Sequence, residues 1–277
     1  MNASPMPEIT AFTATYNRAH TLTRVYESLA AQTMRDFEWL VVDDGSTDET
    51  PELLARWQAE ADFSIRILTQ ANAGKHVAYN RAILEAAGTY FVSIDSDDAC
   101  VPYTLERFLK IWAGIPAERR REYMSVSASI IYVQYAGIGF ELPHEPLDSN
   151  PLDIRYHLGY IYDKWDCYRT EVIRDFPYPL PRRRSTHVPE TLVWHRMARL
   201  YKTRYVNYIL LLVTSDLEAD SLSGRGKLTQ KRIASMASGI ALQHGVALNE
   251  EIYYFRYAPK TFLSKAANFT RFSLHDG

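Results

Sequence analysis

Tyr90-Phe91-Val92-Ser93-Ile94-Asp95-Ser96-Asp97-Asp98 is an apolar run that ends in three carboxylates. β-rich residues followed at once by acids read as a strand that delivers its last side chains into a loop. Open α/β sheets bind their ligands outside the carboxyl ends of the strands. Carboxylate oxygens at such a place suit Mn²⁺ or Mg²⁺, and such ions hold phosphates through one or two carboxylates. A short acidic run by itself is more often a solvated turn. Its weight here comes from the segments around it.

Upstream, strand and helix signals alternate. Ile9 to Ala14 is a short β-rich run. Thr21 is placed to cap a helix to about Gln32, with Leu22, Val25, Tyr26 and Leu29 at helical spacing. Phe37 to Val42 is a second strand ending in Asp43-Asp44-Gly45, and Ser46 to Glu49 has capping-box spacing for a helix to about Ala61. Ile65 to Leu68 is a third strand, and Asn72-Ala73-Gly74-Lys75 a turn. Val77 to Ala87 reads as a helix closed by Gly88. Strand four is Tyr90 to Ile94. This βαβαβαβ order predicts an α/β fold with a doubly wound, mostly parallel, right-handed sheet. Downstream, Pro102 suits the first turn of a helix through about Trp112. Strands are expected over Met124–Tyr135, Lys164–Tyr168 and Tyr205–Thr214, with a short helix to Asp175 and another over Glu190–Tyr201. Residues 137–159 and 176–189 are proline-interrupted loops. The C-terminal part reads as helical, about Lys227–Gly245 and Pro259–Phe272.

Composition bounds the function. A length of 277 residues fits one large domain or one domain with an elaboration. The net charge of −2 gives no general electrostatic case for nucleic acid. Tyr outnumbers Phe by 19 to 11, which suits carbohydrate or wet-interface contact as well as ordinary packing. Cys100 and Cys167 make neither a disulfide framework nor a metal cluster. A reducing cytoplasm is the simpler expectation. The N-terminal MNASPMPE lacks the apolar core of a secretory signal, and no apolar run reaches the length of a transmembrane helix.

Four of these segments carry a resemblance. Ala11-Phe12-Thr13-Ala14-Thr15-Tyr16-Asn17-Arg18 resembles the first strand and loop of the inverting glycosyltransferases of family 2, which have the GT-A fold. Gln32-Thr33 with Asp36-Phe37-Glu38, and Val41-Val42-Asp43-Asp44-Gly45-Ser46-Thr47-Asp48, are similar to its second signature. Asn72-Ala73-Gly74-Lys75 with Asn80-Arg81-Ala82 is similar to the third, and Asp95-Ser96-Asp97-Asp98 falls where the family carries its metal-binding acids. Beyond residue 112 the resemblance weakens. It recovers at Trp165–Thr170 and Val188-Pro189-Glu190, which look like bacterial members that build capsule, exopolysaccharide or other surface glycans. Ala14 stands where the family usually has Pro. The Gln-x-x-Arg-Trp signature of processive synthases is absent, which points to one sugar per encounter.

The resemblance implies roles. A nucleotide-sugar donor, UDP-sugar favoured, would be held by Thr15, Tyr16, Asn17, Arg18, Asp44, Asn72, Lys75, Asp95 and Ser96. Thr15 and Tyr16 would frame base and ribose, Asp44 would accept from a uracil-type N–H, and Lys75 would lie near the diphosphate. Asp97 and Asp95 would hold Mn²⁺ or Mg²⁺. Glu190 would be the catalytic base, with Asp163 and Asp166 as rivals. The acceptor would be a glycan or a lipid-linked glycan. The implied division is a GT-A domain over 1–215, with a donor half over 1–112 and an acceptor half over 113–215, followed by a lid and helices over 216–277.

Other features admit two readings each. Arg182-Arg183-Arg184 fits a lipid-linked phosphate or a solvated loop. His187 fits the diphosphate or solvent, and Ser221–Gly226 fits a lid or a plain surface loop. The last helix is amphipathic and basic. It suits an anionic membrane surface at the inner face, and equally packing on the domain or on a second subunit as a homodimer. Two rival functions remain: a phosphotransfer protein with an aspartyl nucleophile at Asp44 or Asp95, and a non-catalytic nucleotide or glycan binder. A dinucleotide-dependent dehydrogenase is excluded, because the turn after the first strand, Thr15-Tyr16-Asn17-Arg18, holds no glycine.

Overall fold

The computed structural model describes residues 6–134, 137–138, 142, 144–160, 163–180, 188–214 and 230–276. In chain order the first half runs β1 (Ile9–Thr15), α1 (Ala19–Ala30), β2 (Phe37–Asp43), α2 (Thr50–Glu60), β3 (Ser64–Thr69), α3 (Lys75–Glu85), β4 (Tyr90–Ser93), β5 (Ala99–Cys100) and α4 (Thr104–Ala113). The second half runs β6 (Tyr123–Tyr132), β7 (Gly137–Ile138), β8 (Leu147–Ser149), β9 (Lys164–Arg169), α5 (Thr170–Arg174), α6 (Thr191–Ala198), β10 (Lys202–Val213), α7 (Gln230–Glu250) and α8 (Pro259–Asp276).

β1 lies inside the sheet and is buried along nearly its whole length. It pairs in parallel with β2 from Ile9↔Phe37 to Thr15↔Asp43, and with β4 from Ile9↔Tyr90. β3 flanks β2, again in parallel. Strands buried on both faces read as continuous apolar runs without polar alternation, and Trp39-Leu40-Val41-Val42 is such a run. The sheet order is β3-β2-β1-β4-β9-β6-β10-β5. β9 is antiparallel to both β4 and β6, while β10 returns parallel to β6. The result is the expected α/β architecture, with β9 antiparallel between two parallel sets, the short β5, β7 and β8 added antiparallel to β10 and β6, and a helical C-terminal extension.

Helices cover both faces. On one face Leu29, Trp57, Phe108 and Trp112 pack on Trp39, Val41, Val92 and Trp165, and Tyr26 stacks on Trp57 with centroids 4.5 Å apart. On the other face Tyr79, Ile83, Ile173, Leu192 and Met197 pack on Phe12, Leu40, Phe91 and Tyr168. Phe262 of α8 belongs to this second core and is 1% exposed. Burying such a ring stabilises by about 2 kcal/mol, which ties the C-terminal hairpin to the domain.

Several local expectations are corrected. α1 begins at Ala19, and Thr21 is buried inside it. The cap comes from the neighbouring loop instead, where Asp48 Oδ2 accepts from the Ala19 amide at 3.1 Å. Ser46 and Glu49 form no capping box: α2 starts at Thr50, whose amide donates to Asp48 Oδ1 at 3.0 Å. α3 ends at Glu85, before Gly88. Gly88 instead lets β4 approach β1, since a Cβ there would meet the Thr10 amide nitrogen at 2.4 Å. α7 continues through Gly245, where a Cβ would meet the Phe269 ring at 3.0 Å. That glycine serves close packing of α8 and not helix termination.

Candidate functional site

The carboxyl ends of β1, β2 and β4 open into three neighbouring loops, of which those after β1 and β2 hold one another. After β1, Asn17 adopts a left-handed φ of 53°, a conformation Asn tolerates better than most residues. Its amide donates to Ser46 Oγ at 2.9 Å, and its Oδ1 accepts from the Thr47 amide at 2.7 Å. The Arg18 amide donates to Thr50 Oγ1 at 3.0 Å. Thr15 is 2% exposed and its Oγ1 has no hydrogen-bond partner, whereas Tyr16 is 47% exposed. The Thr15–Arg18 loop is thus fixed by backbone contacts that leave the Tyr16 ring facing solvent.

Asp44 is 4% exposed. Its Oδ1 accepts from Gln70 Nε2 at 2.8 Å and the Ala73 amide at 2.9 Å, and its Oδ2 from the Gly74 amide at 2.8 Å. A carboxylate offers about four lone-pair sites, so three are committed to the 70–74 loop. In this structure Asp44 shapes the turn that presents Lys75. The neighbouring Asn72 is exposed.

Lys75 opens α3 and joins two distant carboxylates. Its Nζ donates to Asp95 Oδ1 at 2.7 Å and to Glu190 Oε1 at 2.8 Å. Burial works against the ammonium, but the two carboxylates outweigh it and hold Lys75 above its usual range. Glu190 sits at the N-cap of α6 with no capping bond of its own, where the helix dipole favours a carboxylate. Asp95, Ser96, Asp97 and Asp98 form the turn after β4. One carboxylate oxygen from each of Asp95, Asp97 and Asp98 lies within 4.8 Å of the others. Burial, with Asp95 and Asp97 beside it, pushes Asp98 up to about 8 from its ordinary 3.8, although its Oδ1 accepts from the Thr214 amide at 3.1 Å. Such crowding of hard oxygens fits a divalent cation, which would relieve the mutual repulsion.

The other expected residues are placed as follows. Asp163 accepts from the Tyr132 hydroxyl at 2.5 Å, and Asp166 from Ser125 Oγ at 3.0 Å. His195 pairs with Glu251 at 2.7 Å, away from any cluster of metal-type ligands among the described residues. Arg182-Arg183-Arg184, His187 and Ser221–Gly226 lie outside the described residues. Two contacts had no sequence signal: the Lys75–Glu190 bond, which spans 115 positions, and the Asp98–Thr214 bond, which spans 116.

Residues 10–118 match the family described as Glycosyl transferase family 2. A glycosyltransferase of Nostoc sp. is 34% identical over 105 residues, 38% of this chain and 33% of that relative. The succinoglycan biosynthesis protein ExoO of Rhizobium meliloti is 38% identical over 106 residues, 38% of this chain and 30% of ExoO. The match therefore spans about a third of these relatives' length. Among solved structures, S. aureus TarS 1–349 in complex with UDP-GlcNAc superposes with a TM-score of 0.66 at 21% identity, over 95% of this chain and 73% of that one. The mannosyltransferase PcManGT of Pyrobaculum calidifontis, in complex with GDP-Man and Mn²⁺, gives 0.59 at 19% identity, over 97% and 75%. At these identities the likeness is one of fold. No described helix is long and apolar enough to cross a membrane.

Proposed function

We propose, from the match of residues 10–118 to the model of glycosyltransferase family 2, that this protein moves a sugar from a nucleotide-diphosphate donor onto a glycan or lipid-linked acceptor in bacterial surface-glycan assembly. The observation that carries this reading is the Asp95–Lys75–Glu190 bridge at the strand ends. It sets a carboxylate able to act as a base beside a cation and an acidic turn suited to a diphosphate. The donor half is 1–112 and the acceptor half 113–215, with 216–277 as lid and helices. UDP is favoured as the nucleotide, with Asp44's remaining lone pair available to an imide N–H. A cytoplasmic site of action, peripheral to the membrane, accords with donors of this class.

In the proposed reaction Glu190 takes the proton of the acceptor hydroxyl. That oxygen forms the new bond to the anomeric carbon while the bond to the diphosphate oxygen breaks, the electron pair leaving with the diphosphate. Attack opposite the leaving group inverts the anomeric centre. Lys75 offsets charge on the departing diphosphate, and its release from Glu190 leaves that carboxylate able to accept a proton. Asp97 and Asp95, with Asp98 beneath, would hold Mn²⁺ or Mg²⁺, which supplies Lewis-acid neutralisation of the diphosphate. The test is a thermal-shift screen of UDP-, GDP-, dTDP- and CMP-sugars with Mn²⁺, followed by NMR assignment of the product anomer. A UDP-sugar hit with an inverted product is expected. Stabilisation by GDP-sugars alone would remove the UDP preference, and a retained anomer would remove direct displacement.

A further inference from the structure

The β6–β9 ladder has one ordinary face and one that is not. Val126, Ala128, Trp165 and Cys167 point into the apolar core beneath α4. On the opposite face the register sets Ser125 against Tyr168, Ser127 against Asp166, and Ser129 against Lys164. Opposed residues in a strand pair share a face. β10 adds Thr203 beside Ser125. The three serines and Thr203 are at most 1% exposed. Central strands normally bury such positions in apolar contact, and buried polar groups are costly unless hydrogen-bonded.

The Lys164–Asp166 pair is tied to this row at two separate points. Ser125 Oγ donates to Asp166 Oδ1 at 3.0 Å and lies 2.8 Å from Thr203 Oγ1, while Lys164 Nζ donates to Ser129 Oγ at 2.9 Å. Lys164 and Asp166 both keep part of their surface open, so the serine row supports a pair that meets solvent. The pair is on the Glu190 side of the sheet. Tyr79 and Tyr168 are raised by burial, and each also experiences the charges of Glu190 and Asp166. Asp166 itself is raised to about 6 by burial.

We infer that Lys164 and Asp166, seated on the Ser125–Ser129 row, are the subsite for the acceptor, and that the acceptor group bound there is an uncharged sugar ring presenting neighbouring hydroxyls. A carboxylate accepts from one hydroxyl and an ammonium donates to the next, the pairing that a diol satisfies. An anionic ring is disfavoured, because among the described residues the carboxyl groups of Asp95, Asp163, Asp166 and Glu190 outnumber the ammonium groups of Lys75 and Lys164. Like-charge juxtaposition selects against wrong partners. This inference rests on the transferase reading and deepens it.

The test uses the full chain with methyl hexopyranosides and the matching hexose phosphates, by saturation-transfer difference NMR. Donor hydrolysis by water is followed in parallel. Asp166→Asn keeps the Ser125 bond and the shape, and Lys164→Met keeps the stem; a melting curve checks that each folds. At least a tenfold weakening of methyl glycoside binding in both variants, with the melting-temperature shift given by UDP and Mn²⁺ kept, is expected. Undiminished glycoside binding in both folded variants overturns the subsite, and preference for the hexose phosphates overturns the uncharged-ring assignment. Variant-sensitive glycoside binding without any donor hydrolysis by the wild type supports the subsite while counting against the transferase reading.

Discussion

In the proposed reaction the chemistry is concentrated in one oxygen pair, that of Glu190. Glu190→Gln keeps the volume and the helix start but cannot take a proton. Turnover should fall roughly 10²–10⁴-fold, the range of a positioned general base, with donor affinity little changed; steady-state rates and calorimetry check both. Near-normal turnover would pass the role to Asp163 or Asp166. Asp166 also gives a pH signature. Burial raises its folded pKa to about 6 from 3.8. The folded state therefore holds the proton more tightly than the unfolded chain, and stability is lost as pH rises from about 4 to 6. Asp166→Asn should remove about 3 kcal/mol of that pH-dependent loss, read by urea denaturation across the window; an unchanged pH dependence would assign it elsewhere. Residue by residue, the acids after β4 were readable because a strand signal ran straight into them. The Lys75–Glu190 contact was not, because sequence spacing carries no information on which loops meet above a sheet. Asp44 shows the reverse case, a residue whose identity was legible but whose three bonds to the 70–74 loop were not.

At the scale of elements, two junctions can be tested. Gly88 sits where β4 meets β1, and a methyl there would press on backbone atoms of Thr10 and Ile9 at 2.4 and 2.6 Å. Backbone cannot rotate aside, so Gly88→Ala should destabilise by about 3 kcal/mol, the upper part of the overpacking range, in a denaturant titration. A loss under 1 kcal/mol would mean that the strands slide apart easily. The second junction joins α6 to the C-terminal hairpin. Glu251, 2% exposed, accepts from Tyr156 at 2.6 Å and pairs with His195 at 2.7 Å. Burial opposes its charge, yet the His195 and Tyr156 contacts hold its pKa below the usual value. Glu251→Ala leaves both partners buried and unpaired, and should cost about 3 kcal/mol. Hydrogen exchange should rise over 230–276 and stay low in β1–β4; uniform loss of protection would show that the hairpin is not a separate unit. Elements with strong periodicity and local turn chemistry were legible: β1–β4 and their helices fall within a few residues of expectation. Their caps were not, because Asp48 caps α1 across a loop rather than along the chain. The pairing partners of β9 and β10 were equally hidden, since strand order in space departs from chain order after β4.

For the whole molecule, ligand binding should appear as stability. A ligand bound only by the folded state raises apparent stability by about 2.7 kcal/mol at a hundred times its dissociation constant. UDP with Mn²⁺ should raise the melting temperature, and Asp97→Ala should abolish the Mn²⁺-dependent part while leaving the unliganded melting point within a few degrees. A full Mn²⁺ effect in Asp97→Ala would exclude that carboxylate as a ligand. The sheet's layout also has a consequence for how the chain is made. β3, β2, β1 and β4 are complete once residue 93 has left the ribosome, but the far edge of β4 pairs with β9, which ends at Arg169. At 5–20 residues per second the nascent sheet waits about 4–15 s with that edge bare, an interval in which chaperones or neighbouring chains can pair with it. The strand that ends the wait is the one carrying Lys164 and Asp166, so covering the β4 edge and setting that pair in place are a single event in biosynthesis.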